Sequence, residues 1–349
     1  MATVRSKAVE RGFSARASSL LAESRRVSTL KVYNSRLAAF NEWCEERGFL
    51  PKETSCPVIA DFLIHLFDKG LSLSTIRGYR SAIAAIHNGF PDGSRVSDSL
   101  ELGHLLRSFF LKRPSSRPLA PSWSLPKVLE TLARPPFEPM CDASFHNLTV
   151  KTVLLIALAS GHRRSSLHAL TTAEGHIRFE ARGVRLRPET SFIAKNQSDV
   201  SGPVEIFLSK LSTFSSVPED KTWCPVRALK WYLFKAKSLR SNDKLFVITK
   251  KPFSAASPST ISRWIVEGIK AAGPEALLSG REPRAHDTRS ISSSWALFAG
   301  VSTPDIMKAA FWRSKNSFIS FYLRDVCPGE ERFGASVLSA AASRLPKHS

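Results

Sequence analysis

Apolar residues recur at helical spacing along most of the chain. From Ser28, read as a cap, Leu30, Tyr33, Leu37, Phe40 and Cys44 form one stripe, and Gly48 closes the run. Pro57 opens a second helix whose inner side carries Val58, Ile59, Phe62, Leu63 and Leu66 up to Gly70. A third follows Ser74, with Ile76, Tyr79, Ile83 and Ile86 inward and Arg77 and Arg80 on another face; a fourth covers residues 100–111. Short amphipathic helices in this number predict a small all-helical domain over residues 27–111.

Helical spacing resumes at Leu125, with Val128, Leu129 and Leu132. Asn147 is positioned to cap an apolar helix through Val150, Val153, Leu154 and Leu158, which runs out in SGHRRSSLHAL. Gly161 there permits a sharp turn, and His162, Arg163 and Arg164 emerge from the end of a buried helix. The period then changes. HIRFEA, GVRLR, TSFIA and VEIFL read as strands, broken by Gly183, Pro188 and the polar turn KNQSDVSGP, with Lys195 where a strand meets that turn. Pro225 and Pro258 restart helices, the latter with Ile261, Trp264, Ile265 and Ile269 inward. The expected class is mainly α: an all-helical domain, then residues 125–326 as a mostly helical domain with a small antiparallel sheet.

Composition changes this picture at the joints. FFLKRPSSRPLAPSW has three prolines, three cations and no acid, so residues 112–124 read as a semi-rigid basic linker. Residues 1–26, rich in Arg and Ser, read as a flexible basic arm, and residues 327–349, with FGASVLSAAASRL, as a tail carrying a short apolar helix. Fifty Lys and Arg against thirty Asp and Glu give a net charge of +20, which draws a polyanion over a wide surface. Nucleic acid is the first candidate partner, and Arg77, Arg80, Lys112, Arg113 and Arg117 are candidate phosphate contacts; solvated surface cations and a plain polar linker are the alternatives. No apolar run approaches a membrane span. The five cysteines are scattered and odd in number, with neither a zinc nor a disulfide pattern, which suits reduced thiols inside a cell.

One stretch concentrates chemistry: AHDTRSISSSWALFAGVSTPDIMKAAFWRSKNSFISFYLR, residues 285–324. His286 and Arg289 stand one helical turn apart, so in a helix an acid–base group and a fixed cation share a face. The stretch contains Trp312 and Tyr322, the latter one of four tyrosines in the chain. An ordinary amphipathic helix pair, with Ile291, Trp295 and Phe298 as core, accounts for any one of these residues; the combination is what argues for a site.

Set beside Arg163 and Lys195, this stretch resembles the tyrosine recombinases. Gly161, Arg163 and Leu167 sit as in Gly-x-Arg-x-x-Glu-Leu, Lys195 falls on the expected hairpin, His286 and Arg289 match His-x-x-Arg, Trp312 stands where the family has His or Trp, and Tyr322 comes last. The resemblance covers residues 25–326 and implies a DNA core-binding domain followed by a catalytic domain. ALASGHRRSSLHAL, CPVRALKWYL and AFWRSKNSFISFYLRD look most like the recombinases of DIRS-type retrotransposons. Two departures stand out: Ser166 replaces the acid of the first arginine motif, and the interval from Trp312 to Tyr322 is one residue longer than in the best-known members.

By resemblance, Tyr322 is the nucleophile that forms a 3′-phosphotyrosyl bond and frees a 5′-hydroxyl. A free phenol has a pKa of about 10 and needs help near neutrality; His286 is the candidate for managing its proton. Arg163 and Arg289 present planar forks to the nonbridging oxygens, Lys195 protonates the leaving oxygen, and Trp312 holds a phosphate oxygen through its indole N–H. The resemblance further implies no cofactor and no metal, double-stranded DNA as partner, a homotetramer on DNA with the tail docked on a neighbour, a monomer or dimer off DNA, integration of a mobile element, and the nucleus as compartment. A silent DNA-binding descendant and a type IB-like topoisomerase are the competing readings.

Overall fold

The structure is a computed structural model, and it describes residue 9 and residues 12–114, 120–195, 197, 202–213, 218–278 and 280–326. The chain divides into two compact units, Met1–Arg117 and Pro118–Ser349. Among the described residues no helix is long and apolar enough to cross a membrane.

In the first unit the described residues include α1 (Ala15–Glu23), α2 (Val27–Glu45), α3 (Cys56–Asp68), α4 (Leu73–Ile86) and α5 (Leu100–Lys112). α1 lies where composition led us to expect a flexible arm. Ser14 caps it by accepting from the Ala17 amide, and Ser18 and Ala22, one turn apart, are buried. α2 begins behind Arg26, so Ser28 is inside the helix and not its cap; α4 begins behind Ser72, whose hydroxyl accepts from the Thr75 amide. The apolar stripes meet as expected. Phe62 sits centrally, 4.9 Å from the Phe40 ring and 5.4 Å from Trp43, with Ile59, Ile83 and Leu102 fully buried around it.

The candidate phosphate contacts of this unit fare differently. Arg77 is exposed on α4, Arg80 is half-buried and Lys112 is exposed in the last turn of α5. Arg113 is exposed too, and its guanidinium lies 4.0 Å over the Phe67 ring and donates to the carbonyls of Phe67 and Leu71, closing the C-terminal end of α3. A cation there serves the helix's orphan carbonyls. Arg117 lies outside the described residues, as does the tail.

The second unit is built around α7 (Phe145–Ser160), which is buried along nearly its whole length and contacts α9 (Pro225–Ala236), α10 (Pro258–Lys270) and α11 (Asp287–Phe298). Its cap is Ser144, accepting from the Asn147 amide, three residues before the Asn147 cap expected. α6 (Leu125–Leu132) precedes it; α8 (Arg164–His168), α12 (Thr303–Ala309) and α13 (Lys315–Phe321) are short. Three strands, β1 (Ile177–Glu180), β2 (Gly183–Leu186) and β3 (Ile206–Ser209), form one antiparallel sheet in that order, with Ile177 opposite Leu186 and Leu186 opposite Ile206. TSFIA is not a strand. The Phe192 amide turns back to the Glu189 carbonyl, and the Ala194 amide donates to the Gln197 side chain, so this part of the β2–β3 connection satisfies itself locally.

Candidate active site

Gly161 ends α7 in the left-handed conformation, at φ 59°, and is hemmed in: a Cβ there would lie 3.0 Å from the Ala310 Cβ. The reversal starts α8 with Arg163 as its N-cap and brings the chain beside the turn that carries Trp312. That turn is itself bent, with Phe311 at φ 51° and the Trp312 amide donating back to the Met307 carbonyl. Two side chains stitch these backbones together. Buried His162 has its Nε2 3.1 Å from the Ala309 carbonyl oxygen and its ring stacked near Phe311, while Arg289 donates through NH1 to the carbonyls of Gly161 at 2.6 Å and Ala310 at 2.7 Å.

α11 presents the second wall. His286 is its N-cap and has near-helical backbone angles, and Asp287 opens the first turn, its carboxylate accepting from the Arg284 amide and the Ser122 hydroxyl. A serine run follows. Ser290, Ser292 and Ser294 each bond back to a carbonyl of the preceding turn, and wholly buried Ser294 also accepts from the Arg324 amide at 2.8 Å. Of the apolar residues expected as core here, Ile291 is buried and Trp295 half-buried, but Phe298 is exposed.

Tyr322 follows α13. Phe318 anchors that helix against Trp312, at 5.9 Å between rings, and the Tyr322 amide donates to the Phe318 carbonyl. The phenol is thereby held between two rings, edge-on to Trp312 at 4.1 Å and to His286 at 5.3 Å. Its hydroxyl is 2.9 Å from the His286 Nε2. The imidazole is held below its ordinary pKa, first by desolvation where it packs on Tyr322 and then by the charges of Arg289 and Arg163. That shift favours the neutral imidazole, which in the tautomer with Nε2 unprotonated accepts a phenolic proton.

Five of the six expected residues, Arg163, Lys195, His286, Trp312 and Tyr322, line one open cavity of about 650 Å³ together with Asp287, Ser290, Arg313, Ser314 and Arg324. Lys195 is exposed on its rim. Arg289 is the exception: it is 1 % exposed, stacked 3.7 Å behind Trp312, and its pKa is pushed down to about 9 by burial and by Arg163. Its Nε and the Trp312 Nε1 are both buried without a hydrogen-bond partner. In this arrangement the Arg289 fork is turned to carbonyls, so it does not face the cavity as His-x-x-Arg spacing suggested. The spacing fixes where the residue starts on the helix; the carbonyls of Gly161 and Ala310 fix where its tip goes.

The motifs missed His162, Arg313 and Arg324. His162 occupies the unspecified position of Gly-x-Arg, and Arg324 follows the tyrosine by two residues; in both cases an ionisable group adjoining a motif residue was the available signal.

No family model matches the sequence, and no curated protein does. Solved structures do. The integrase of transposon Tn1549, in complex with circular intermediate DNA, aligns with a TM-score of 0.56 at 13% identity, over 96% of this chain and 97% of that one. The XerH site-specific recombinase bound to palindromic difH substrate aligns at 0.56 and 17% identity, over 94% and 83%. A lambda integrase dimer bound to a COC' core site aligns at 0.50 and 16% identity, over 89% and 93%. The chain shares their fold. The aligned span includes residues of both units, and the cavity around Tyr322 is built within that shared fold.

Proposed function

We propose that the chain is a site-specific DNA recombinase or integrase that breaks and rejoins DNA through Tyr322. The observation that carries this reading is the 2.9 Å contact between the Tyr322 hydroxyl and the His286 Nε2, inside a cavity lined by Arg163, Lys195 and Arg324. Metal-free cleavage of a phosphodiester needs a nucleophile, a base for its proton, cations for the charge of the phosphorane and an acid for the leaving oxygen. Tyr322 attacks phosphorus; its proton passes to the His286 Nε2; the bond from phosphorus to the 5′-oxygen breaks, and that oxygen takes a proton from Lys195. The products are a 3′-phosphotyrosyl ester and a free 5′-hydroxyl. Because the ester bond energy is kept, a 5′-hydroxyl from another strand reverses the step and seals DNA without ATP.

Arg163 contacts a nonbridging oxygen from the rigid end of α7. Arg289 and Trp312 each keep a buried donor without a partner, and a phosphate oxygen is the acceptor this reading supplies once the Trp312 turn shifts to admit it. The finer parts of the proposal are a mobile-element origin of the DIRS type, a homotetramer that holds two duplexes, action in the nucleus, and phosphate contacts from Arg77, Arg80 and Lys112. Burial of Arg289 favours a second reading, a DNA-binding protein descended from such enzymes and no longer cleaving. A duplex with a nick beside the cut site, from which the 5′ fragment diffuses away, separates the two. An SDS-stable protein–DNA adduct, absent in Tyr322→Phe, is expected; salt-sensitive binding without any adduct establishes the silent protein.

A further inference from the structure

The cavity around Tyr322 has more cations on its wall than the expected residues supply, and one of them is built in. We propose that Arg324 is a further phosphate-contacting residue of this site, acting with Arg163 on the scissile phosphate. The inference rests on the reading that Tyr322 attacks a DNA phosphate.

Placement comes first. Arg324 lines the same cavity as Arg163, Lys195, His286 and Tyr322, whereas Arg289 does not. Its position is set by the main chain: the Arg324 amide donates to the hydroxyl of wholly buried Ser294, which is bonded in turn to the Ser290 carbonyl on α11. Nucleophile and cation are therefore two residues apart on a segment tied to the helix that carries His286. The second argument is charge. Burial holds the Arg324 guanidinium below its ordinary pKa, opposed only in part by Asp287 and by Tyr322. Asp287 already accepts from the Arg284 amide and Ser122. An anion entering the cavity therefore meets a half-buried cation on its wall. Third, NH1 of Arg324 donates to the Leu323 carbonyl at 3.0 Å, and a phosphate oxygen is a stronger, charge-assisted acceptor than a carbonyl. Arg313 also lines the cavity, but it follows the Trp312 turn, is exposed, and is the alternative donor.

The test uses the full chain and nicked duplexes selected from a random-sequence library by SDS-stable capture on the protein. Each selected duplex is made twice, with a phosphodiester and with a methylphosphonate at the cut position, the latter lacking one negative charge. On the phosphodiester, Arg324→Gln should form the adduct about tenfold or more slowly, and Arg324→Lys should fall between it and the wild type because it keeps the charge and loses the fork. On the methylphosphonate the gap between Arg324→Gln and wild type should largely close, since there is one oxygen charge fewer to stabilise. A fold defect lowers both substrates alike, so an equal loss on both overturns the proposal, as does an unchanged rate on the phosphodiester. Selective rescue of Arg313→Gln instead of Arg324→Gln also overturns it. If the wild type captures no duplex at all, the recombinase reading itself falls and takes this inference with it.

Discussion

Among the described residues of the second unit, Lys151 and Arg289 are cations buried almost completely, and they are treated in opposite ways. Lys151, in the middle of α7, is wholly buried and donates to the Glu138 carboxylate at 2.6 Å and the Leu132 carbonyl at 2.7 Å; Arg227 donates to the same carboxylate. Arg289, in the first turn of α11, is as buried but meets carbonyls and the Trp312 ring, and among the described residues no carboxylate lies within ion-pairing distance of it. Both are pushed toward the neutral form by burial, Lys151 to about 8 and Arg289 to about 9. Glu138 moves the other way, toward the charged form, because it collects two cations while Lys151 collects one anion. A charge buried with its counter-ion ties elements together; a charge buried without one is retained at a cost to stability, and the place where that cost falls is the site around Tyr322.

Removing the counter-ion at the first location should have the largest effect on stability. Glu138→Gln leaves Lys151 buried opposite a neutral amide and should cost about 3–5 kcal/mol in denaturant unfolding; a loss below about 1 kcal/mol would erase the distinction between the two cations. Next comes acid. Buried His162 has its pKa lowered to about 4 from 6.5, chiefly by desolvation and then by Arg289, so the unfolded chain binds this proton more readily than the folded one. Its contribution is present above pH 6.5 and is lost as pH falls from 6.5 to 4, by about 3 kcal/mol in all. Measured between those pH values, His162→Gln should show a shallower fall in stability than the wild type; parallel curves would mean that burial and the neighbouring charges do not hold His162 below its ordinary pKa. Smallest in stability is Arg289→Met. It gives up carbonyl bonds but also an uncompensated charge, so unfolding should change by only about 1 kcal/mol, while adduct formation drops about 100-fold or more. A large stability loss with adduct formation intact would make Arg289 a structural staple like Lys151.

Much of this organisation was legible in the chain. Helical spacing located α2 to α7, and prolines near the starts of α3, α9 and α10 marked their first turns because proline's fixed φ and missing N–H suit that position. Caps were read a few residues late or early where several polar residues cluster, as with Ser72 and Ser74 or Ser144 and Asn147, since any of them can accept from an amide and only the backbone angle chooses. TSFIA misled because four apolar and branched residues alternate as well in a self-bonded turn as in a strand. The motif residues Arg163, Lys195, His286, Trp312 and Tyr322 do converge. What spacing could not show is the direction of the Arg289 tip, decided by carbonyls 128 and 21 residues away, nor the Ser294 hydroxyl that brings Arg324 into the cavity from 30 residues away.

The central claim is that Tyr322 is the atom donor of a covalent bond to DNA, and it is tested most directly by mapping that bond. The SDS-stable adduct, trimmed with nuclease and digested with trypsin, should place a nucleotide remnant, linked through its 3′-phosphate, on the peptide NSFISFYLR, residues 316–324, and specifically on Tyr322. A remnant on Ser317 or Ser320 of that peptide, on any residue outside it, or a 5′-phosphate linkage would contradict the account.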